Sequence, residues 1–84
     1  MHFYFITFRS VTFAQRAEKL LNQKGYRVSL MRTPRWMEEQ GCGYALKLFT
    51  HQIEGAVYLL REQKIQLRKV YMQQEDGQME EMHL

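Results

Sequence analysis

Cysteine and proline each occur only once in these 84 residues, and long apolar runs are missing altogether. The single cysteine, Cys42, has no second cysteine with which to form a disulfide inside the chain. No stretch approaches the ~18 consecutive apolar residues that a membrane-spanning helix needs. The opening MHFYFITF lacks the basic region and small-residue cleavage site of a signal peptide. We therefore expect a cytoplasmic location, a free thiol and no membrane partner.

The spacings that define common catalytic sites are also missing. The three histidines, His2, His51 and His83, are scattered, and none has metal-ligand spacing with Cys42. No HExxH, GxSxG or glycine-rich phosphate-binding motif is present. The acidic residues lie near the C-terminus or on the outer faces of predicted helices, so no carboxylate pair indicates acid–base catalysis. The sequence argues against classical hydrolysis, a metal site and a bound cofactor.

The net charge of +3 conceals an uneven distribution. Residues 75–84 (EDGQMEEMHL) contain four acidic residues and no Lys or Arg, which leaves twelve positive and five negative charges in residues 1–74. We expect a single domain at 1–74, followed by an acidic, disordered tail at 75–84. The basic excess is compatible with an anionic partner or with an ordinary solvated surface.

Apolar periodicity predicts an α+β fold with the element order β-α-β-β-α-β. The predicted elements are a strand at 2–8, a helix capped by Thr12 and ended by Gly25, a strand at 26–32, a strand at 44–49, a helix capped by Thr50, and a strand at 65–73. LLNQKGYRVSLM (20–31) resembles LLREQKIQLRKVYM (59–72), which indicates two similar halves. This order predicts a ferredoxin-like sandwich, with four antiparallel strands and both helices on one face.

The first strand has apolar side chains on both of its faces, with Phe3 and Phe5 on one and Tyr4, Ile6 and Phe8 on the other. If both helices cover one face, the other needs its own cover. Two candidates follow: a homodimer packed through the open sheet face, or the 33–41 segment of the same chain.

GYALKLF (43–49) partly matches the aromatic box of the RNA recognition motif. That match would turn Lys47 toward the helices, where an unpaired ammonium costs several kcal/mol. Alternation favours the opposite orientation, with Tyr44, Leu46 and Leu48 toward the helices and Lys47 on the open side. Nucleic acid is therefore the less favoured partner.

TPRWMEEQGCG (33–43) surrounds the cysteine. Pro34 favours an extended exit from the second strand, and Gly41 and Gly43 leave the thiol of Cys42 unscreened by neighbouring side chains. Arg35 and Lys47 could lower the pKa of the thiol, because nearby cations favour the thiolate, whereas Glu38 and Glu39 act in the opposite direction. Free cysteine is also among the most buried residue types, so an inert core cysteine stays an alternative.

Four short stretches resemble one family of bacterial proteins. They are TFRS (7–10), AEKLL (17–21), TPR (33–35) and CGYALK (42–47), and the likeness extends over about residues 3–73. The family is the putative selenium/sulfur carrier protein-like family, which is otherwise of unknown function. The resemblance implies a carrier without independent turnover, in which Cys42 holds a persulfide or selenopersulfide and exchanges it with a donor or acceptor protein. The alternatives are a small regulatory or protein-interaction module with an inert cysteine, or an RNA-binding domain.

Overall fold

A computed structural model of the chain describes residues 2–33 and 43–84. Within these ranges the chain forms two helices and five strands: β1 (His2–Phe8), α1 (Val11–Gln23), β2 (Val28–Arg32), β3 (Tyr44–Thr50), α2 (Ile53–Glu62), β4 (Val70–Gln73) and β5 (Met79–Met82). The strands form one antiparallel sheet in the order β2-β3-β1-β4-β5. The prediction of an α+β fold is confirmed.

The main core lies between one face of the sheet and both helices. Alternate residues of β1 point into it, and Ile6 and Phe8 are completely buried. The helices contribute Ala14, Ala17 and Leu21 from α1, and Ile53, Ala56, Val57 and Leu60 from α2. Full burial of a large apolar side chain contributes about 1.5–3 kcal/mol, so this cluster is the main source of stability.

The two helices end in the same way. In α1, Gly25 has a φ of +90°, its N–H donates to Asn22, and the N–H of Tyr26 donates to Leu21. These are the bonds of a Schellman motif, which requires a left-handed residue after the helix. In α2, Lys64 takes the place of that glycine with a φ of 58°, and Ile65 donates to Leu60. The sequence repeat therefore marks a repeated helix ending.

The helix starts differ from the prediction. Ser10, not Thr12, caps α1, because its hydroxyl accepts hydrogen bonds from the N–H groups of Thr12 and Phe13. Helix α2 begins after Gln52, which makes no side-chain cap, while the Thr50 hydroxyl accepts from the N–H of Gln52. Both predicted caps were two residues out: at α1 a second hydroxyl residue, Ser10, precedes Thr12, and at α2 the N-cap residue, Gln52, lies two residues after Thr50.

Strand β4 is shorter than the predicted 65–73 because the chain bulges where it meets Thr7. The N–H of Arg68 donates to the Thr7 carbonyl, and the N–H of Lys69 donates to the Thr7 hydroxyl at 3.0 Å. Arg68 and Lys69 thus both lie opposite Thr7, as in a β-bulge. Regular pairing starts at Val70, opposite Ile6.

The acidic segment provides a fifth strand, so the prediction of four strands was wrong. Gln74 and Gln78 close a turn through a 2.7 Å backbone hydrogen bond, Asp76 accepts from the N–H of Gln78, and Gly77 has a φ of +88°. Strand β5 then pairs with β4 from Gln73↔Met79 to Val70↔Met82. Glu80 and Glu81 weakened the apolar pattern, but an edge strand accommodates exposed charges.

Candidate functional site

The residues predicted to form the site fall partly outside the part of the chain that the structure describes. Cys42 lies outside it, and so do Pro34, Arg35 and Gly41. Gly43 and Lys47 lie inside it, and they define where the cysteine-containing segment joins the sheet.

That segment leaves and re-enters the sheet at neighbouring strand ends. Arg32, the last residue of β2, pairs with Tyr44, the first residue of β3. One residue further out, the N–H of Thr33 donates to the carbonyl oxygen of Gly43 at 3.2 Å, and Gly43 is buried. The Thr33 hydroxyl oxygen is also buried, and among residues 2–33 and 43–84 it has no hydrogen-bond partner. A buried hydroxyl thus lies beside the residue that follows Cys42.

Arginine side chains lie at this end of the sheet. The guanidinium carbon of Arg32 is 5.9 Å from the centre of the Tyr44 ring, a cation–π distance. Arg9 follows Phe8, and Phe8 pairs with Tyr44, so Arg9 and Gly43 lie at the same end of adjacent strands. The cysteine-containing segment therefore joins the sheet in a positively charged region.

Lys47 lies on the sheet face away from the helices, as alternation predicted. Its ammonium is 4.4 Å from the centre of the Phe3 ring and 5.9 Å from that of Phe5. Lys47 lies four positions along the chain from Gly43, a distance of about 13 Å at the usual rise per strand residue. The ammonium leans toward Phe3, which pairs with Phe49 farther still from Gly43.

The same face divides into a buried part and an exposed part. Phe5 and Tyr71 are buried with Met31 and Met79 packed against them. Phe3 and Phe49 are 39% and 42% exposed, with ring centres 4.7 Å apart.

Two positions of the partial RNA-motif match, Tyr44 and Leu46, do not present their side chains on this face. Leu46 is completely buried in the core beneath the helices, and the half-buried Tyr44 packs against the same core. The positions that an RNA recognition motif would expose for stacking therefore point to the helices in this chain.

A basic cleft, which the sequence did not predict as a unit, opens near the start of α1 and the end of α2. Its volume is about 910 Å³, and the described residues of its lining include no Asp or Glu and five cations: Arg9, Arg61, Lys64, Arg68 and Lys69. Two connections bring these residues together, the one after β1 and the one before β4. The charge excess was visible in the sequence, but its location depended on this topology.

Metal chemistry finds no support in residues 2–33 and 43–84, where no three His, Cys, Asp or Glu side chains come together as possible ligands. Neither helix in these ranges combines the length and the apolar character needed to cross a membrane.

Comparison with known proteins identifies a family. The model of the family described as "Putative Se/S carrier protein-like" matches residues 3–72. No curated protein and no solved structure matches the chain. The match includes β1 through most of β4, together with the stretch from Thr33 to Lys47 in which Cys42 lies, and it ends before β5. Because it spans well over half of the sequence, the chain belongs to the putative Se/S carrier protein-like family.

Proposed function

We propose that this protein carries sulfur or selenium on Cys42 as a persulfide or selenopersulfide and passes it to a partner protein. The observation that carries this proposal is the family match over residues 3–72, which contains the only cysteine of the chain. The transfer takes place in the cytoplasm, where thiols stay reduced.

The chemistry needs no oxidant and no cofactor. The Cys42 thiolate attacks the terminal sulfur of a persulfide on the donor protein, so that a new S–S bond forms at Cys42 and the donor cysteine leaves as a thiolate. An acceptor thiolate or other nucleophile then attacks the terminal sulfur, and Cys42 leaves as a thiolate in turn. Selenium is transferred by the same two displacements, and each step depends on thiolate formation.

Three features beside the cysteine support this role. Gly43 presents no side chain next to Cys42, and the buried Thr33 hydroxyl offers a hydrogen-bond donor. Arg32 and Arg9 supply positive charge at the same end of the sheet, and positive charge favours a thiolate. For Gly41, Pro34 and Arg35 we propose the supporting roles that the sequence predicts: Gly41 and Pro34 shape the segment, and Arg35 favours the thiolate. Lys47 lies on the open face of the sheet against Phe3, where it supplies positive charge for an anionic partner.

We further infer that the first four strands and the two helices form a ferredoxin-like unit, to which β5 is added at one edge. This arrangement places the ends of β1 and β2 and the starts of β3 and β4 together. Gly43, the residue that follows Cys42, and the basic cleft then share one end of the molecule, which suits transfer between docked proteins.

Thiol reactivity tests the proposal. The native protein should react with iodoacetamide at neutral pH faster than the same protein unfolded in urea, because a stabilised thiolate is more abundant. Incubation with a cysteine desulfurase and cysteine should add the mass of one sulfur atom to the native chain and nothing to a Cys42→Ser variant. Alkylation that proceeds only after unfolding would contradict the proposal, because a carrier thiol must be accessible.

A homodimer through the open sheet face is a second proposal, supported by the exposed pair of Phe3 and Phe49. Light scattering at micromolar concentration should give twice the mass of the chain, and Phe49→Ser should restore the monomer. A strictly monomeric native protein would remove this proposal without affecting the carrier proposal.

A further inference from the structure

The basic cleft has a lining suited to a particular kind of ligand. Its cations come from separate parts of the chain: Arg9 precedes α1, Arg61 lies at the end of α2, and three more follow in residues 64–69. The apolar lining residues Phe13, Ile65 and Leu67 lie among these charges. The cleft therefore combines positive charge with apolar surface in a volume of about 910 Å³, which is more than a single small ion fills.

The N-terminal end of helix α1 adds to the positive charge of the cleft side chains. Helix α1 begins beside Arg9, and its first turn contains no acidic residue. The N-terminal end of a helix has a partial positive charge, which adds to that of Arg9. Because the described lining residues include cations and no Asp or Glu, they attract anions over a distance of about a Debye length, roughly 8 Å at physiological salt.

Oxygen acceptors from the acidic segment of the chain already contact the rim of this cleft. The Lys69 ammonium lies 3.7 Å from the Glu81 carboxylate, and the Arg61 guanidinium donates to the Leu84 carbonyl oxygen. Residues 81–84 and the cations Arg61, Arg68 and Lys69 line a shared smaller pocket beside it. An extended acidic stretch of polypeptide is therefore a type of ligand that these cations contact within the protein itself.

We propose that the basic cleft docks an extended acidic segment of a partner protein, in which carboxylates alternate with apolar side chains. The carboxylates pair with Arg9 and Lys64, and the apolar side chains pack on Phe13 and Leu67. These proposed contacts do not include Cys42, so docking can be tested separately from sulfur or selenium transfer.

A peptide accounts for the lining better than a single-stranded nucleic acid does. Nucleic acid binding needs exposed aromatic faces along a basic groove, so that successive bases can stack. Among the lining residues that the structure describes, Phe13 is the one aromatic residue and is half-buried, and the other apolar residues are the aliphatic pair Ile65 and Leu67. The exposed aromatic rings of Phe3 and Phe49 lie on the sheet face, outside the residues of the cleft.

Fluorescence anisotropy with a labelled peptide of alternating glutamate and leucine tests the docking. The full chain should bind this probe, and added salt should weaken the binding. The double variant Arg9→Glu/Lys64→Glu should lose about tenfold or more in affinity, since two ion pairs become two repulsions. The matched control is Lys24→Glu/Arg27→Glu, which makes the same charge change at exposed positions outside the lining.

Two further variants test competition from Glu81 and any contribution of the thiol to peptide binding. Glu81→Gln should raise affinity about twofold to fivefold, because Lys69 loses an internal competitor for the probe carboxylates. Cys42→Ser should bind the peptide like the native chain, whether or not the native thiol accepts sulfur. Far-UV circular dichroism checks that each variant is folded.

Equal losses in the cleft and control variants would overturn the proposal, because net charge alone would then explain binding. It would also be overturned if a single-stranded RNA of the same net charge bound more tightly than the peptide and lost affinity in the cleft variant.

Discussion

Thr33 and Gly43 face each other across the ends of β2 and β3, where the Thr33 N–H donates to the Gly43 carbonyl at 3.2 Å. The Thr33 hydroxyl is buried there without a partner in the described part of the chain. A polar atom in this state costs about 1–3 kcal/mol unless something compensates for it. Cys42 precedes Gly43 in the sequence, so under the carrier proposal its sulfur is a group that this hydroxyl could serve.

Replacement of Thr33 by valine removes the hydroxyl and nearly keeps the shape. We expect the stability to stay constant or rise by about 1 kcal/mol, since an unpaired buried hydroxyl is lost. Under the carrier proposal the hydroxyl donates to Cys42 only when the thiolate forms, so its removal should raise the pKa of that thiol. Iodoacetamide kinetics across pH would show the shift, and Thr33→Ser should behave like the native chain. An unchanged thiol pKa in Thr33→Val would show that the hydroxyl does not serve the sulfur.

Thr7 should tolerate serine and not valine. Its hydroxyl accepts the Lys69 N–H at 3.0 Å, and the residue is only 2% exposed. Thr7→Val leaves that N–H without its acceptor at the bulge, so we expect a loss of about 1–2 kcal/mol in the free energy of unfolding in urea. Thr7→Ser keeps the acceptor and should lose less. Equal losses in the two variants would mean that packing, and not the hydrogen bond, is responsible.

Lys64 occupies a backbone conformation better suited to glycine. Its φ of 58° lies in the left-handed region, and the equivalent position after α1 is Gly25. Lys64→Gly should stabilise the protein by about 0.5 kcal/mol, the strain relief exceeding the entropy that glycine loses on folding. The reciprocal change, Gly25→Lys, should destabilise it by about 1 kcal/mol. Thermal unfolding of the pair provides the comparison, and a destabilised Lys64→Gly would contradict the strain argument.

Stability should fall in alkaline solution because of Tyr4. Burial, reinforced by the nearby charge of Glu54, raises the pKa of the Tyr4 hydroxyl above its usual 10.0. The folded protein then retains a proton that the unfolded chain loses above about pH 10, so unfolding becomes easier as the pH rises from there to the folded-state pKa. The slope due to this group is at most about 1.4 kcal/mol per pH unit.

Urea titrations of the native chain and Tyr4→Phe measure this contribution. The variant should lose less stability between neutral pH and about pH 10.5 than the native chain, although the other tyrosines still titrate. Parallel losses in both proteins would show that Tyr4 does not contribute.

The sequence predicted the helices and the first three strands because their apolar periods are regular. It also predicted the orientation of Lys47, since a strand turns alternate side chains to opposite faces and an ammonium is costly in a core. Its errors fell where the pattern is irregular. The bulge opposite Thr7 involves a side-chain hydroxyl sixty-two positions away from its partner, and local sequence cannot indicate such a contact.

The family was predictable from the sequence, whereas the chemistry of the site stays a prediction. Cys42 stood out as the only thiol, and the match over residues 3–72 confirms the family that the resemblance indicated. The basic cleft was hidden because its cations are spread from Arg9 to Lys69, and only the folded topology brings them together.

The fifth strand changes which backbone edge the molecule presents to others. Without β5, residues 70–73 would expose a row of unpaired N–H and C=O groups available for strand addition by another chain. With β5 in place those groups are paired, and the new edge carries Glu80 and Glu81 side by side. Two such edges repel each other, so the acidic strand protects the sheet against edge-to-edge aggregation.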